Sequence, residues 1–242
     1  MAEPILIAAG VAKRFGALVV LDGIDFAMRA DEAVGIVGPN GAGKTTFLAV
    51  LASALPPSAG TVRFRDNDVT SLPAPERCRR GIVRTHQVPR PFGAMTVFEN
   101  VLVAATQGGA FARAEAYDRC IDSLRLCGML SVANRRAETL GLLDRKRLEL
   151  ARALATNPKL LLLDEIGGGL TDGEAGELVT TIRELRSRGI ALIWIEHIVH
   201  ILLQVAGRLI CMDAGRIIAD GDPRAVMIDP GVVEAYLGGA VA

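Results

Sequence analysis

Short apolar runs recur along the chain at 33–37, 160–163, 190–195 and 208–212. Runs of this length with no polar alternation are what strands buried on both faces look like. Stretches with apolar residues at helical spacing separate them, so the pattern predicts a mostly parallel sheet covered on both sides, an α/β architecture. A further short strand is expected at 81–84 and a helix from near Lys44. The first ~30 residues and the segment 61–65 instead alternate apolar with polar, which predicts an antiparallel sheet lying against the parallel one. Between 96 and 156 nearly every stretch is rich in Ala, Leu and Arg, and this predicts several helices with no strand among them. After Asp222 two short helices, 223–227 and 230–236, are expected before a flexible GGAVA end.

These elements compose one domain over 1–242. A core is expected from 1–87 and 156–228, an inserted helical subdomain over 88–155 and a C-terminal tail over 229–242. Half of the 242 residues are apolar and 22% are charged, with 27 Lys+Arg against 27 Asp+Glu, so disordered and fibrous classes are excluded. Zero net charge also speaks against a protein that grips nucleic acid, which normally carries a basic excess. Cys78, Cys120, Cys127 and Cys211 show no metal-like or disulfide-like spacing and are expected as free thiols in a reducing compartment. The N-terminal stretch, with Glu3 and Pro4, does not read as a secretory signal. The most apolar window, 198–206, is too short to span a membrane, which takes about 20 residues.

The sharpest chemical signal is GPNGAGKT from Gly38 to Thr45, placed between the strand AVGIV and a helix. Gly38, Gly41 and Gly43 let the backbone curl its N–H groups around phosphates at a helix N-terminus, with Pro39, Asn40 and Ala42 completing the loop and Thr46 following it. Lys44 is expected to reach the β- and γ-phosphates, and the Thr45 hydroxyl a Mg²⁺ ion. Downstream, LLLLDE ends a buried strand on Asp164, placed to hold the metal, and on Glu165, placed to orient or deprotonate the attacking water. The pair His197 and His200 lacks a third ligand candidate for zinc, and His86 and His200 are given no role.

The P-loop followed by LLLLDE resembles the nucleotide-binding subunits of ATP-binding cassette (ABC) transporters, over residues 4–238. The resemblance implies a P-loop NTPase core with a mostly parallel sheet, an N-terminal antiparallel β-subdomain and an inserted helical subdomain. It further implies that Gln87, in RTHQVPRPF, contacts Mg²⁺ and the attacking water, that His197, in IWIEH, contacts the γ-phosphate, and that Phe15, in VAKRFGA, stacks on adenine from a turn. RTHQVPRPFGAMTVFENV and DPGVVEAYLGG look like the subgroup serving branched-chain amino-acid uptake. ATP and Mg²⁺ are then the cofactors. The implied partners are transmembrane permease subunits, a second ATPase and, indirectly, an extracytoplasmic solute-binding protein, with the chain at the cytoplasmic face of the membrane.

Two departures stand out. The family's LSGGQ signature is replaced at 140–144 by LGLLD, so Gly141 stands where the signature serine belongs and Leu143 where a glycine belongs. After Glu165 the family's proline is Ile166, and the Asp of the following loop aligns with Thr171. The altered signature favours a heterodimer with a second ATPase over a homodimer. Two other readings stay open: a soluble cassette protein outside transport, and a regulatory module that binds ATP without hydrolysing it. Within 89–100, Phe92 or Phe98 is expected to meet a helix of the permease.

Overall fold

A computed structural model describes residues 3–238 of the chain. The elements run β1 (Pro4–Phe15), β2 (Leu18–Arg29), β3 (Ala33–Val37), α1 (Lys44–Leu51), β4 (Ala59–Phe64), β5 (Asn67–Asp68), α2 (Ala74–Arg80) and β6 (Ile82–Arg84). Then follow α3 (Val97–Val103), a π-helical turn (Ala104–Gly108), α4 (Arg113–Leu126), α5 (Leu142–Ala155), β7 (Leu160–Asp164), α6 (Asp172–Ser187) and β8 (Ala191–Ile195). The last are α7 (Val199–Leu202), β9 (Arg208–Asp213), β10 (Arg216–Gly221), α8 (Pro223–Met227) and α9 (Pro230–Gly238).

Among the described residues the strands form two sheets. One is antiparallel, in the order β2-β1-β4-β5, and the other runs β10-β9-β3-β8-β7-β6, parallel except for the edge strand β10. Side chains of the parallel strands alternate between two apolar layers. Val34, Ile36, Leu160, Leu162, Ile193 and Ile210 pack with α1 against the antiparallel sheet. Leu161, Leu163, Leu192, Trp194 and Leu209 face the layer built by α3 to α6. Both faces are therefore buried, which is why these strands are apolar at every position.

Local chemistry sets the element ends. Thr96 with Glu99, and Thr171 with Glu174, form reciprocal capping boxes that start α3 and α6. Gly81, in a left-handed conformation, terminates α2, so the expected strand 81–84 begins one residue later. The region 96–156 is helical, with only an isolated bridge between Thr96 and Arg136. Among the elements not expected are α2 and β10. The helix α2 is too short and polar to show a periodicity, and β10 exposes every other residue at the sheet edge, a pattern a loop shares.

The four cysteines are free thiols, and burial pushes that of Cys211 up to about 11. No helix among the described residues is long and apolar enough to cross a membrane. Phe98 is partly buried and tilts against Tyr117, itself 40% exposed, with ring centroids 5.3 Å apart. Phe92 is 47% exposed beneath the Arg152 guanidinium. Of the expected GGAVA end, residues 239–242 lie outside the described residues, as do residues 1–2 at the other terminus.

Candidate nucleotide-binding site

The strand β3 delivers the chain to Gly38, whose φ of +141° brings it so close to β9 that a Cβ would lie 2.0 Å from the Met212 carbonyl oxygen. Only glycine fits there. Gly43, at φ +97°, caps α1, and a Cβ on it would stand 2.7 Å from the Val20 carbonyl oxygen. The loop between them opens on a cavity of 360 Å³, lined by Leu18 and Val20, by Asn40 through Thr46, and by Glu165. N–H groups at the start of α1 and the Lys44 ammonium suit this cavity to an anion. Lys44 is buried, and its Nζ donates to the carbonyls of Gly38 (2.7 Å) and Pro39 (2.9 Å). Burial lowers its pKa, and the nearby carboxylates of Glu165 and Asp164 act in the opposite direction.

β7 ends on Asp164, 1% exposed, which stands behind Thr45 of the cavity wall. Its Oδ1 accepts from the Thr45 hydroxyl at 3.2 Å, and its Oδ2 from the Arg84 guanidinium at 2.7 Å. A hydroxyl and a carboxylate meeting beside a phosphate loop are hard oxygen donors, a set that suits Mg²⁺. Arg84 was not anticipated. A charged residue ending the otherwise apolar strand GIVR was its signal in the sequence, and its Nε is buried with no hydrogen-bond partner among the described residues.

Three strand ends converge on Glu165. Its Oε1 lies 2.8 Å from His197 Nε2, and its Oε2 accepts a short hydrogen bond from the Gln87 amide nitrogen. Gln87, expected as a metal contact, here donates to the carboxylate. Glu165 has a φ of +48°, a conformation costly for a side chain with a Cβ. The surroundings hold it there. Its N–H donates to Ile195 O at 2.9 Å, and its carbonyl accepts from the buried Lys146 ammonium at 3.3 Å. Glu196, also missed, receives the Gly167 N–H at 2.6 Å and the Trp194 indole N–H at 3.2 Å, and so fixes the next turn. Burial raises the Glu196 pKa and lowers that of Lys146, each acting against the other's charge.

The other expected residues lie outside this convergence. Phe15 is the last residue of β1 rather than part of the turn. Its ring is 48% exposed with the Lys13 ammonium 5.0 Å from its centroid, and it does not line the cavity. His86 and His200 are exposed, and the His86 N–H donates to Glu149. In the LGLLD segment, Leu140 is buried and Gly141 caps α5, while Leu142 is 47% exposed. Thr171 is engaged as the cap of α6.

Residues 21–167 match the ABC transporter family, and residues 216–242 match the branched-chain amino acid ATP-binding cassette transporter family. The chain is 37% identical to the high-affinity branched-chain amino acid transport ATP-binding protein LivG of Escherichia coli, over 99% of this chain and 100% of that one. It is 34% identical, with the same coverage, to the corresponding protein BraF of Pseudomonas aeruginosa. Among solved structures, a nucleotide-free ATP-binding cassette from an ABC transporter superposes with a TM-score of 0.89 at 32% identity, covering 97% of this chain and 99% of that one. A cassette in its ADP conformation gives 0.89 and 32%, covering 98% and 100%. With a phosphate loop, a buried Asp at the adjoining strand end and full-length relatives of one kind, this chain belongs to the ATP-binding subunits of ABC transporters and is an ATPase.

Proposed function

We propose that this chain energises an importer for branched-chain or related amino acids, bound at the cytoplasmic face of the membrane to permease subunits and served by an extracytoplasmic solute-binding protein. Its full-length likeness to LivG and BraF supports the solute class. The observation that carries the mechanism is the meeting of Gln87, Glu165 and His197 beside Lys44, Thr45 and Asp164.

In this reading the N–H groups between Gly41 and Thr46 and the Lys44 ammonium hold the β- and γ-phosphates. Lys44 exchanges its bonds to the Gly38 and Pro39 carbonyls for phosphate oxygens. Thr45 and Asp164, with Gln87, would hold Mg²⁺, which would supply charge neutralisation at the γ-phosphate. Glu165 accepts a hydrogen bond from the attacking water and takes its proton. Gln87 and His197, one on each carboxylate oxygen, keep that side chain aimed, and His197 contacts the γ-phosphate as it leaves. Phe15, exposed at the hairpin tip, stacks on adenine. The segment 88–155 acts as the helical subdomain, with Phe92 facing the permease.

The active assembly is a heterodimer. In a head-to-tail pair each ATP lies between one subunit's phosphate loop and the other's signature. This chain's LGLLD, without a serine hydroxyl, therefore serves the partner's ATP, and the site bearing Glu165 performs most of the hydrolysis. Purification from gently solubilised membranes tests the reading: recovery of a permease and a second ATPase with an intact signature, with uptake of branched-chain amino acids on reconstitution, is expected. A soluble chain that hydrolyses ATP at full rate alone would overturn it.

A further inference from the structure

The last described helix, α9, begins where Asp229 Oδ1 accepts from the N–H groups of Gly231 (2.8 Å) and Val232 (3.3 Å). Val232, 1% exposed, anchors it in the main core. From there α9 stands off from Pro39 and Asn40 across a cleft of 510 Å³ that Gly231, Glu234 and Ala235 line from its side. The Tyr236 hydroxyl spans the gap. It accepts the Gly38 N–H at 2.8 Å, joining residues 198 apart in the chain.

The position of that bond matters because Gly38 is where the sheet becomes the phosphate loop. Its N–H is held by Tyr236, its carbonyl receives the Lys44 ammonium at 2.7 Å, and its α-carbon is pressed against the Met212 carbonyl. A shift of the Gly38 peptide would therefore change the curve of the loop and the place from which Lys44 reaches. Tyr236 is 42% exposed, and the partial burial of its hydroxyl raises the phenol's pKa.

We propose that Tyr236 is a positioning residue for nucleotide: its hydroxyl sets the Gly38 peptide, and through it the C-terminal helix governs the affinity of the phosphate loop. The inference rests on reading Gly38 to Thr46 as that loop.

The test is Tyr236→Phe in the full-length chain, which keeps the ring and removes the bond. A single neutral hydrogen bond predicts a roughly two- to tenfold loss of affinity for a fluorescent ATP analogue. The loss should fall on KM for ATP rather than on kcat. In the nucleotide-free protein the Gly38 amide should lose its protection from hydrogen exchange, while the amides of β3 keep theirs. Unchanged affinity overturns the proposal, whether or not Gly38 keeps its protection. Lys44→Ala, measured alongside, separates the two levels. If it weakens binding while Tyr236→Phe does not, only the role of Tyr236 fails. If neither variant weakens binding, the loop assignment fails and the proposal with it.

Discussion

Two helices of this chain start on a glycine without a side-chain cap, and they differ in why. At α1, Gly43 sits at φ +97° with the Val20 carbonyl 2.7 Å from where a Cβ would be, so backbone geometry and close packing both require it. At α5, Gly141 has an ordinary φ of −69°, and a Cβ there would meet nothing within 4 Å. The first glycine is imposed by the fold. The second is not, and a serine would fit without strain and could cap the helix. One helix start is thus closed by Lys44, Asp164 and Glu165 from the same chain, as the proposed phosphate site requires. The other is open, as the proposal that it serves a second subunit's ATP requires.

The comparison is sharpened most by Glu165→Gln. It removes the proton acceptor from the completed side, so turnover of the assembled transporter should fall about 10²- to 10⁴-fold with ATP still bound. The matching change in the second ATPase should cost far less, and equal losses in steady-state assays would end the asymmetry. Next comes Arg84→Met, which strips the buried Asp164 carboxylate of its cation. Breaking one partner of a buried pair costs about 3–5 kcal/mol, so chemical denaturation should show that loss in the nucleotide-free protein and a smaller one with Mg²⁺ and nucleotide present. Unchanged stability would remove Arg84 from the site.

Lys44→Ala should weaken nucleotide binding by about 1.5–3 kcal/mol, the value of a hydrogen bond to a charged group, with the fold intact by circular dichroism. The smallest effect is expected at the open side. Gly141→Ser should leave this chain's own ATP affinity unchanged and raise the partner site's turnover roughly tenfold by restoring one such bond. A rise in the homogeneous chain alone would mean that LGLLD faces a second copy of itself.

The residues legible in the sequence were those whose chemistry is contiguous. GPNGAGKT carries its own turn, helix start and cation within eight neighbouring residues, and LLLLDE carries a strand with its carboxylates at the end, so spacing alone made them candidates. The alternating strands of the antiparallel sheet and the apolar strands of the parallel one were visible for the same reason: burial on one face or two writes itself into every residue of a strand. Phe15 and Phe98 were harder. Both are aromatic beside a motif, yet Phe15 ends β1 with its ring exposed while Phe98 packs against Tyr117, a difference that depends on neighbours far along the chain.

Sequence by itself therefore determined the family of the fold and singled out the candidate phosphate loop and carboxylates. Only the tertiary structure decided what holds them. Arg84 meets Asp164 across 80 residues, Glu165 is aimed by Gln87 and His197 from two other strand ends, and Glu196 secures the turn beyond it. Tyr236 reaches Gly38 across 198 residues. A hydrogen bond between distant segments leaves no periodicity and no fixed spacing in the chain. It exists because the parallel sheet brings the carboxyl ends of β3, β6, β7 and β8 to one edge and α9 back beside it, so polar groups that are unrelated in sequence have each other, rather than water, as partners.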